Sequence, residues 1–320
     1  MKPKVFITRK LPKEIILQIE SLCSIKMWQE EDVPVPYEVL EKEIKEVDGL
    51  FCLLTESIDR ALMEKAKNLK VISNMAVGYN NIDIQAAEDL GITITNTPGV
   101  LTETTADLTF ALLMSTARRL VEARDYLKNG EWQTWSPMQL TGQDVFGATI
   151  GIIGMGRIGA SLAKRAKGFD MNILYYNRSQ KLNLEKEFDM QYVELEYLMK
   201  QSDFVCVMTP YTKETENLIT AKELKMMKET AILINTARGG IVNEADLYQA
   251  LLKKQIWAAG LDVFEEEPLS LNHPLLSLNN VVALPHIGSA SINTRLKMAT
   301  LAAENLLAAL NNQTPKHVVV

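Results

Sequence analysis

Three cysteines and three histidines in 320 residues leave little material for a metal centre or a disulfide framework. Cys23, Cys52 and Cys206 sit in apolar surroundings with no CxxC or Cys/His spacing, so they read as buried thiols, not ligands. No apolar run approaches the roughly 18 residues that a membrane-spanning helix needs. The start, MKPKVFITRK, returns to charge after three apolar residues, so no leader is expected and the chain reads as cytoplasmic. Positive charge is not in excess either. Against 40 Asp and Glu stand 34 Lys and Arg, a formal net charge of -6 with no basic stripe, which disfavours a general nucleic-acid binder while leaving room for local basic sites. Low-complexity tracts and solenoid repeats are also absent. What remains, 47% hydrophobic and 23% charged residues, is a globular composition long enough for two domains.

The first hundred residues alternate short apolar runs with amphipathic segments. KVFIT, DGLFCLL, KVISNM and ITIT read as strands, and PKEIILQIESLC and RALMEKAKN carry apolar residues at helical spacing. Such alternation predicts a parallel sheet covered on both faces. From Leu101 to about Lys128 there is no Gly or Pro, and the apolar spacing predicts one long helix with Thr102 or Thr104 as N-cap. The turn-rich, aromatic GEWQTWSPMQLTGQDVFG then reads as a connection. A second series follows, with ATIGIIG, NILYY, DFVCVM, AILIN, IWAAGLDV and VVALP as strands, EADLYQALLKK as a helix, and ASINTRLKMATLAAENLLAALNN as a final helix. The expectation is an α/β protein of two doubly wound parallel-sheet domains.

The second series opens with GIIGMGRIGASLAKRAKGF. Gly154 permits a tight turn, Gly156 lets backbone approach a pyrophosphate, and Gly159 lets helix and strand pack closely, with Arg157 and Ile158 in the same turn. The amides and dipole at the helix start would meet the phosphate charge. The cofactor expected is NAD, NADP or FAD. An acid normally ends the next strand, where it holds the ribose hydroxyls, but no Asp or Glu occurs between Met171 and Leu184. Asn177, Arg178 and Ser179 stand there instead. A guanidinium pairs with a phosphate through two parallel hydrogen bonds, so NADP(H) is the preferred cofactor, with NAD(H) an alternative.

With three histidines the search for a proton donor is short. His317 lies near the C-terminus and His273 in SLNHPLL, and both are expected at the surface. His286 follows the apolar VVALP and so falls at the carboxyl edge of a parallel sheet, where ligands of such sheets bind. Arg238 follows AILINTA and precedes two glycines, and Glu267 follows GLDVF just before Pro268. An arginine, a carboxylate and a histidine at three strand ends suit carbonyl reduction.

GIIGMGRIG, INTARGGIVNEADLYQAL, AAGLDVFEEEPL and LPHIGSAS resemble the signatures of the D-isomer-specific 2-hydroxyacid dehydrogenases, over nearly the whole chain. VISNMAVGYNNIDI, NTPGVLTETTADL and GEWQTWSPMQLTG are most similar to the glyoxylate/hydroxypyruvate reductase branch, which also includes 2-ketogluconate reductases. The resemblance implies a Rossmann dinucleotide domain, residues 100–286, inserted into a flavodoxin-like substrate domain of residues 1–99 and 287–320, with the active site in the cleft. It implies that Arg238 holds the substrate carboxylate and polarises the keto oxygen, that His286 exchanges the proton, and that Glu267 hydrogen-bonds the imidazole. It assigns the amides of Val77 and Gly78 to the substrate carboxylate, and Thr105, Thr209, Pro210, Ala237, Asp262 and Gly288 to the cofactor. Trp135 matches an aromatic that reaches the neighbouring subunit's substrate pocket, so a homodimer is implied, and no metal is needed. The expected activity is NADPH-dependent reduction of glyoxylate and hydroxypyruvate. 2-Ketogluconate reduction is the near alternative, and a nucleotide-sensing corepressor the alternative of another class. Corepressors of this kind usually add tails beyond the two domains, and no such extension is read here.

Overall fold

The computed structural model describes residues 2–320. They form two compact units, one running to Leu101 and resuming at Ala290–Val320, the other comprising Thr102–Ser289.

The first unit carries β1 (Lys4–Ile7), β2 (Ser24–Met27), β3 (Gly49–Cys52), β4 (Val71–Asn74) and β5 (Thr93–Thr95). Between them lie α1 (Lys13–Glu20), α2 (Tyr37–Ile44), α3 (Arg60–Met63) and α4 (Ile84–Leu90). The strands run parallel in the order β2-β1-β3-β4-β5, the flavodoxin-like order. β3 and β4 are buried along their whole length, as strands covered on both faces must be. α4 shows the local logic: the Asp83 carboxylate accepts the Ala86 amide at 2.9 Å, and Gly91 ends the helix at φ +66°. The C-terminal helix, Ile292–Leu310, belongs to this unit. It buries Met298, Ala302 and Leu306 against Val5, Phe51 and Val71, and each fully buried Leu or Met side chain contributes roughly 1.5–3 kcal/mol. Its Ala302 carbonyl accepts the buried Ser73 hydroxyl at 2.7 Å.

The second unit carries β6 (Thr149–Ile153), β7 (Asn172–Tyr176), β8 (Met190–Tyr192), β9 (Phe204–Val207), β10 (Ile232–Asn235), β11 (Ala258–Leu261) and β12 (Val281–Ala283). Its helices are α5 (Thr102–Ala117), α6 (Leu120–Lys128), α7 (Arg157–Lys167), α8 (Leu182–Phe188), α9 (Leu195–Gln201), α10 (Ala221–Leu224) and α11 (Glu244–Leu252). The parallel order is β12-β11-β10-β9-β6-β7-β8, which is Rossmann winding with a seventh strand. Winding reverses between β6 and β9. That switch point opens a crevice at the carboxyl ends of the strands, and it decides where a ligand goes.

Two sequence expectations are corrected. The single helix from Leu101 to Lys128 is two helices, broken at Arg119, which adopts φ +53°. The Ala117 carbonyl, which would accept the amide four residues on in a continuous helix, accepts the Gln143 amide at 2.9 Å instead. Gly142 packs so tightly on that carbonyl that a Cβ there would overlap it. A left-handed non-glycine residue costs about 1–2 kcal/mol, opposed by an Arg119–Glu122 pair at 2.6 and 2.8 Å. α5 also starts at Thr102, which puts both Thr102 and Thr104 inside its first turn and neither at the cap. Separately, the edge strands β2 and β8 were not anticipated. Their half-exposed SIKM and MQY lack the apolar run by which interior strands are recognised.

The three thiols are free and buried, and burial pushes those of Cys52 and Cys206 up. Among the described residues no helix is long and apolar enough to cross a membrane. None of their His, Cys, Asp and Glu side chains form a group of three or more placed to hold a metal ion.

Candidate active site

β6 runs into Gly154, which takes φ +101°. A Cβ there would come within 2.7–2.9 Å of the Met208 carbonyl and the Thr209 amide, so only glycine lets the loops after β6 and β9 meet at the switch point. A Cβ on Gly159 would overlap the Gly154 carbonyl, while Gly156 faces open space. Gly156 is also the N-cap of α7 and has no side chain to cap it, so the amides from Arg157 and Ile158 onward start a helix whose positive end is uncovered. That cradle fits a pyrophosphate. Asn177, after β7, braces it: its carbonyl oxygen accepts the Met155 amide at 3.1 Å and its amide donates to the Ser179 carbonyl at 2.8 Å. Arg178 and Ser179 are exposed beyond it, and Pro210 is exposed after Thr209.

Further along the sheet, Asp262 follows β11 and is buried, yet its Oδ2 has no hydrogen-bond partner among the described residues. Oδ1 accepts the Ile287 amide at 2.8 Å. Burial raises this carboxyl above the ordinary aspartate range, against the Ile287 amide, the charge of His286 and the Gly288 amide. Gly288 packs on the open oxygen, and a Cβ at Gly288 would stand 3.3 Å from Oδ2 and 3.4 Å from Thr105. An orphaned buried acceptor is costly. Beside a crevice, it fits a ligand that brings an N–H donor, as a carboxamide does.

Three strand ends deliver the charged groups. Arg238 stands three residues beyond Asn235, in a turn that Asn235 holds: its side chain accepts the Ala237 amide at 3.1 Å and donates to the Arg238 carbonyl at 2.9 Å. The guanidinium donates to the Ala237 carbonyl at 2.8 Å, and burial pulls it below the usual arginine range while Glu267 opposes that fall. Glu267 accepts the Phe264 amide at 2.9 Å on Oε1 and contacts His286 Nδ1 at 2.6 Å through Oε2. Burial pushes the Glu267 carboxyl up, but the His286 hydrogen bond and charge, the Phe264 amide and Arg238 together outweigh it and hold it below the ordinary glutamate range. It is therefore an acceptor only, so Nδ1 of His286 carries the proton and Nε2 is left for chemistry. His286 itself has φ +52°, a strained left-handed backbone of the kind that gathers at functional sites.

The lowered Glu267 carboxyl makes a pH prediction. A depressed native pKa contributes stability that is present above the unfolded value and lost as pH falls through the native one. Urea unfolding of wild type and Glu267→Gln between about pH 6 and pH 3, spanning the usual glutamate range, should show the wild-type advantage shrinking toward acid. An advantage that stays constant contradicts the charge pairing.

In the first unit, Val77 and Gly78 lie in the loop after β4, pinned by their carbonyls. Asn96 donates to Val77 and Asn74 to Gly78, each at 2.9 Å. Trp135 is 77% exposed on the connection between α6 and β6, outside the hydrogen bonds of the charged trio. His317 remains partly exposed, but His273 does not sit idle at the surface as expected: it is half-buried, with Nε2 3.2 Å from Glu244. Sequence reasoning also passed over Asn235, because an asparagine ending a strand looks like any turn residue.

Residues 110–288 match the family model of the D-isomer specific 2-hydroxyacid dehydrogenase NAD binding domain. The chain is 49% identical over 320 residues to the glyoxylate reductase of Korarchaeum cryptofilum, covering 100% of this chain and 96% of that one. A Thermus thermophilus protein of solved structure superposes with a TM-score of 0.93 at 42% identity, over 99% of this chain and 100% of its own. The NADPH-dependent glyoxylate/hydroxypyruvate reductase of Sinorhizobium meliloti, solved with NADP and malonate, gives a TM-score of 0.88 at 31% identity, over 100% and 97%. With a family model spanning more than half of the sequence and identity near one half along all of it, the chain belongs to the D-isomer specific 2-hydroxyacid dehydrogenases and is an NAD(P)-dependent oxidoreductase.

Proposed function

We propose that this chain reduces small 2-oxo acids, glyoxylate and hydroxypyruvate, to the D-2-hydroxy acids, with NADPH preferred. The observation that carries the reading is the 2.6 Å contact between His286 Nδ1 and Glu267, with the charge of Arg238 acting on the same carboxylate. When bound, a reduced nicotinamide supplies hydride to C2 of the substrate. The Arg238 fork takes the substrate carboxylate and draws charge toward the keto oxygen. His286 gives that oxygen the proton from Nε2, and Glu267 stabilises the doubly protonated ring that reduction starts from. Asp262 Oδ2, buried and without a hydrogen-bond partner among the described residues, would accept from the carboxamide of the cofactor.

NADPH preference rests on Arg178, exposed beyond β7 with no carboxylate between Met171 and Leu184 to repel a 2′-phosphate. The malonate and NADP in the Sinorhizobium relative are consistent with a carboxylate substrate and this cofactor. Steady-state rates across a panel of 2-oxo acids, with NADPH and NADH in parallel, test both points. Arg178→Ala should raise KM for NADPH by roughly tenfold to a hundredfold, the scale of a lost charge-assisted phosphate contact, and leave NADH nearly unchanged. A wild type that prefers NADH removes the assignment of Arg178.

The same reading includes a homodimer. α6 has no buried residue, and Leu120, Leu127, Trp132, Trp135, Met138 and Phe146 are exposed in and after it. Exposed apolar side chains gathered along one stretch support an interface there. Light scattering over a concentration series should give the mass of two chains, and a persistent monomer contradicts it.

A further inference from the structure

We infer that Glu244 and His273 form a positioning pair that sets the loop carrying Glu267, and through it the hold of Glu267 on His286. The inference rests on the assignment of those two residues proposed above.

Glu244 opens α11 directly after its cap Asn243, and a glutamate in a first helical turn usually serves only the helix dipole. This one is turned away from that role. Its Oε1 accepts the Glu265 backbone amide at 2.6 Å, and its own amide donates to the Glu265 carboxylate at 3.2 Å. The two residues exchange hydrogen bonds, so α11 grips the loop at the position next to Phe264. The Phe264 amide in turn holds Glu267 Oε1 at 2.9 Å. Adjacent amides of one short loop thus face two different carboxylates, one supplied by the helix and one by the loop itself.

The loop is fixed from a second side. A Cβ on Gly239 would overlap the Phe264 carbonyl and approach the Glu265 amide, so the backbone next to Arg238 lies directly against the peptide that Glu244 grips. A shift of that peptide therefore moves Glu267 and presses on the turn that bears Arg238. Three carboxylates crowd this region. Burial pushes the Glu244 carboxyl above the ordinary glutamate range, Glu265 and Glu267 add to the rise, and the Glu265 amide and His273 resist it. His273 faces the carboxylate, its Nε2 3.2 Å from Glu244 Oε2, an ion pair when the ring is protonated. The other ring nitrogen is buried without a partner among the described residues, which leaves Glu244 as the side-chain anchor of the ring. His273 is set at the head of the short 3-10 turn Pro274–Ser277, its own amide donating to the Ser270 carbonyl at 2.9 Å.

The test is a set of kcat, KM and NADPH-affinity measurements on Glu244→Ala, Glu244→Gln and His273→Ala, with Glu267→Gln and His286→Asn as controls. Glu244→Ala should lower kcat by roughly tenfold to a hundredfold, the cost of a small misplacement of a reacting group, with NADPH affinity by fluorescence titration unchanged. Glu244→Gln keeps an oxygen for the Glu265 amide and should restore most of the rate. In a Glu267→Gln background the Glu244→Ala change should cost almost nothing further, because its effect passes through Glu267. If Glu244→Ala fails to fold, His273→Ala carries the same expectations, with a smaller loss. Full kcat in Glu244→Ala or His273→Ala with only a lower thermal midpoint overturns the inference, as do losses that multiply independently with that of Glu267→Gln. If the two controls keep full activity, the catalytic assignment falls and takes the inference with it. Impaired controls beside a fully active Glu244→Ala sink the inference alone.

Discussion

Replacing His286 by asparagine should lower kcat by roughly a thousandfold, within the range that a positioned general acid contributes, while NADPH affinity and thermal midpoint stay near wild type. Asparagine is the informative choice because the backbone at this position is left-handed, φ +52°, a region that Asn tolerates far better than alanine or valine. The variant therefore removes the imidazole without adding strain. It also leaves an amide beside Glu267, so the carboxylate keeps a donor in reach. Single-turnover reduction followed at the nicotinamide absorbance would separate the chemical step from product release. A kcat within a few-fold of wild type would assign the proton to another group.

Arg238→Gln should be as damaging but in a different way. The guanidinium is assigned both to the substrate carboxylate and to the developing charge on the keto oxygen, so kcat/KM should fall by roughly a thousandfold or more, with the loss shared between KM and kcat. Arg238→Lys keeps a charge but not the planar fork, and should recover only part of this. The glutamine variant also removes one of the influences that hold the Glu267 carboxyl low. An Arg238→Gln enzyme that loses kcat with an unchanged KM would confine the arginine to the transition state and return the carboxylate to other donors.

The trio of Arg238, Glu267 and His286 was legible in the sequence because each residue stands within a few positions of an apolar run. In a parallel sheet, the residue just past a strand reaches the edge where ligands bind whatever the order of the strands. The glycine loop was legible for the same reason, since its strand, turn and helix are contiguous. The role of His273 was not. Its meaning depends on Glu244, which lies in another element and looks locally like a helix-start acid. The orphaned oxygen of Asp262 was equally hidden, because burial is a property of the packed sheet and not of the stretch GLDV.

By itself the sequence determined what is short-range: the interior strands, through runs apolar enough to be covered on both faces, the phosphate-sized turn after β6, and the chemical identity of the charged groups at the strand ends. Only the tertiary structure decided the rest. The switch between β6 and β9, the break at Arg119 and the pairing of Glu244 with His273 each arise from groups distant in sequence meeting in the fold. At Ala117 a carbonyl chooses a distant amide over its helical neighbour, and at Gly239 the absence of one Cβ lets two loops touch. Such choices depend on how distant segments pack, so local pattern carries no trace of them.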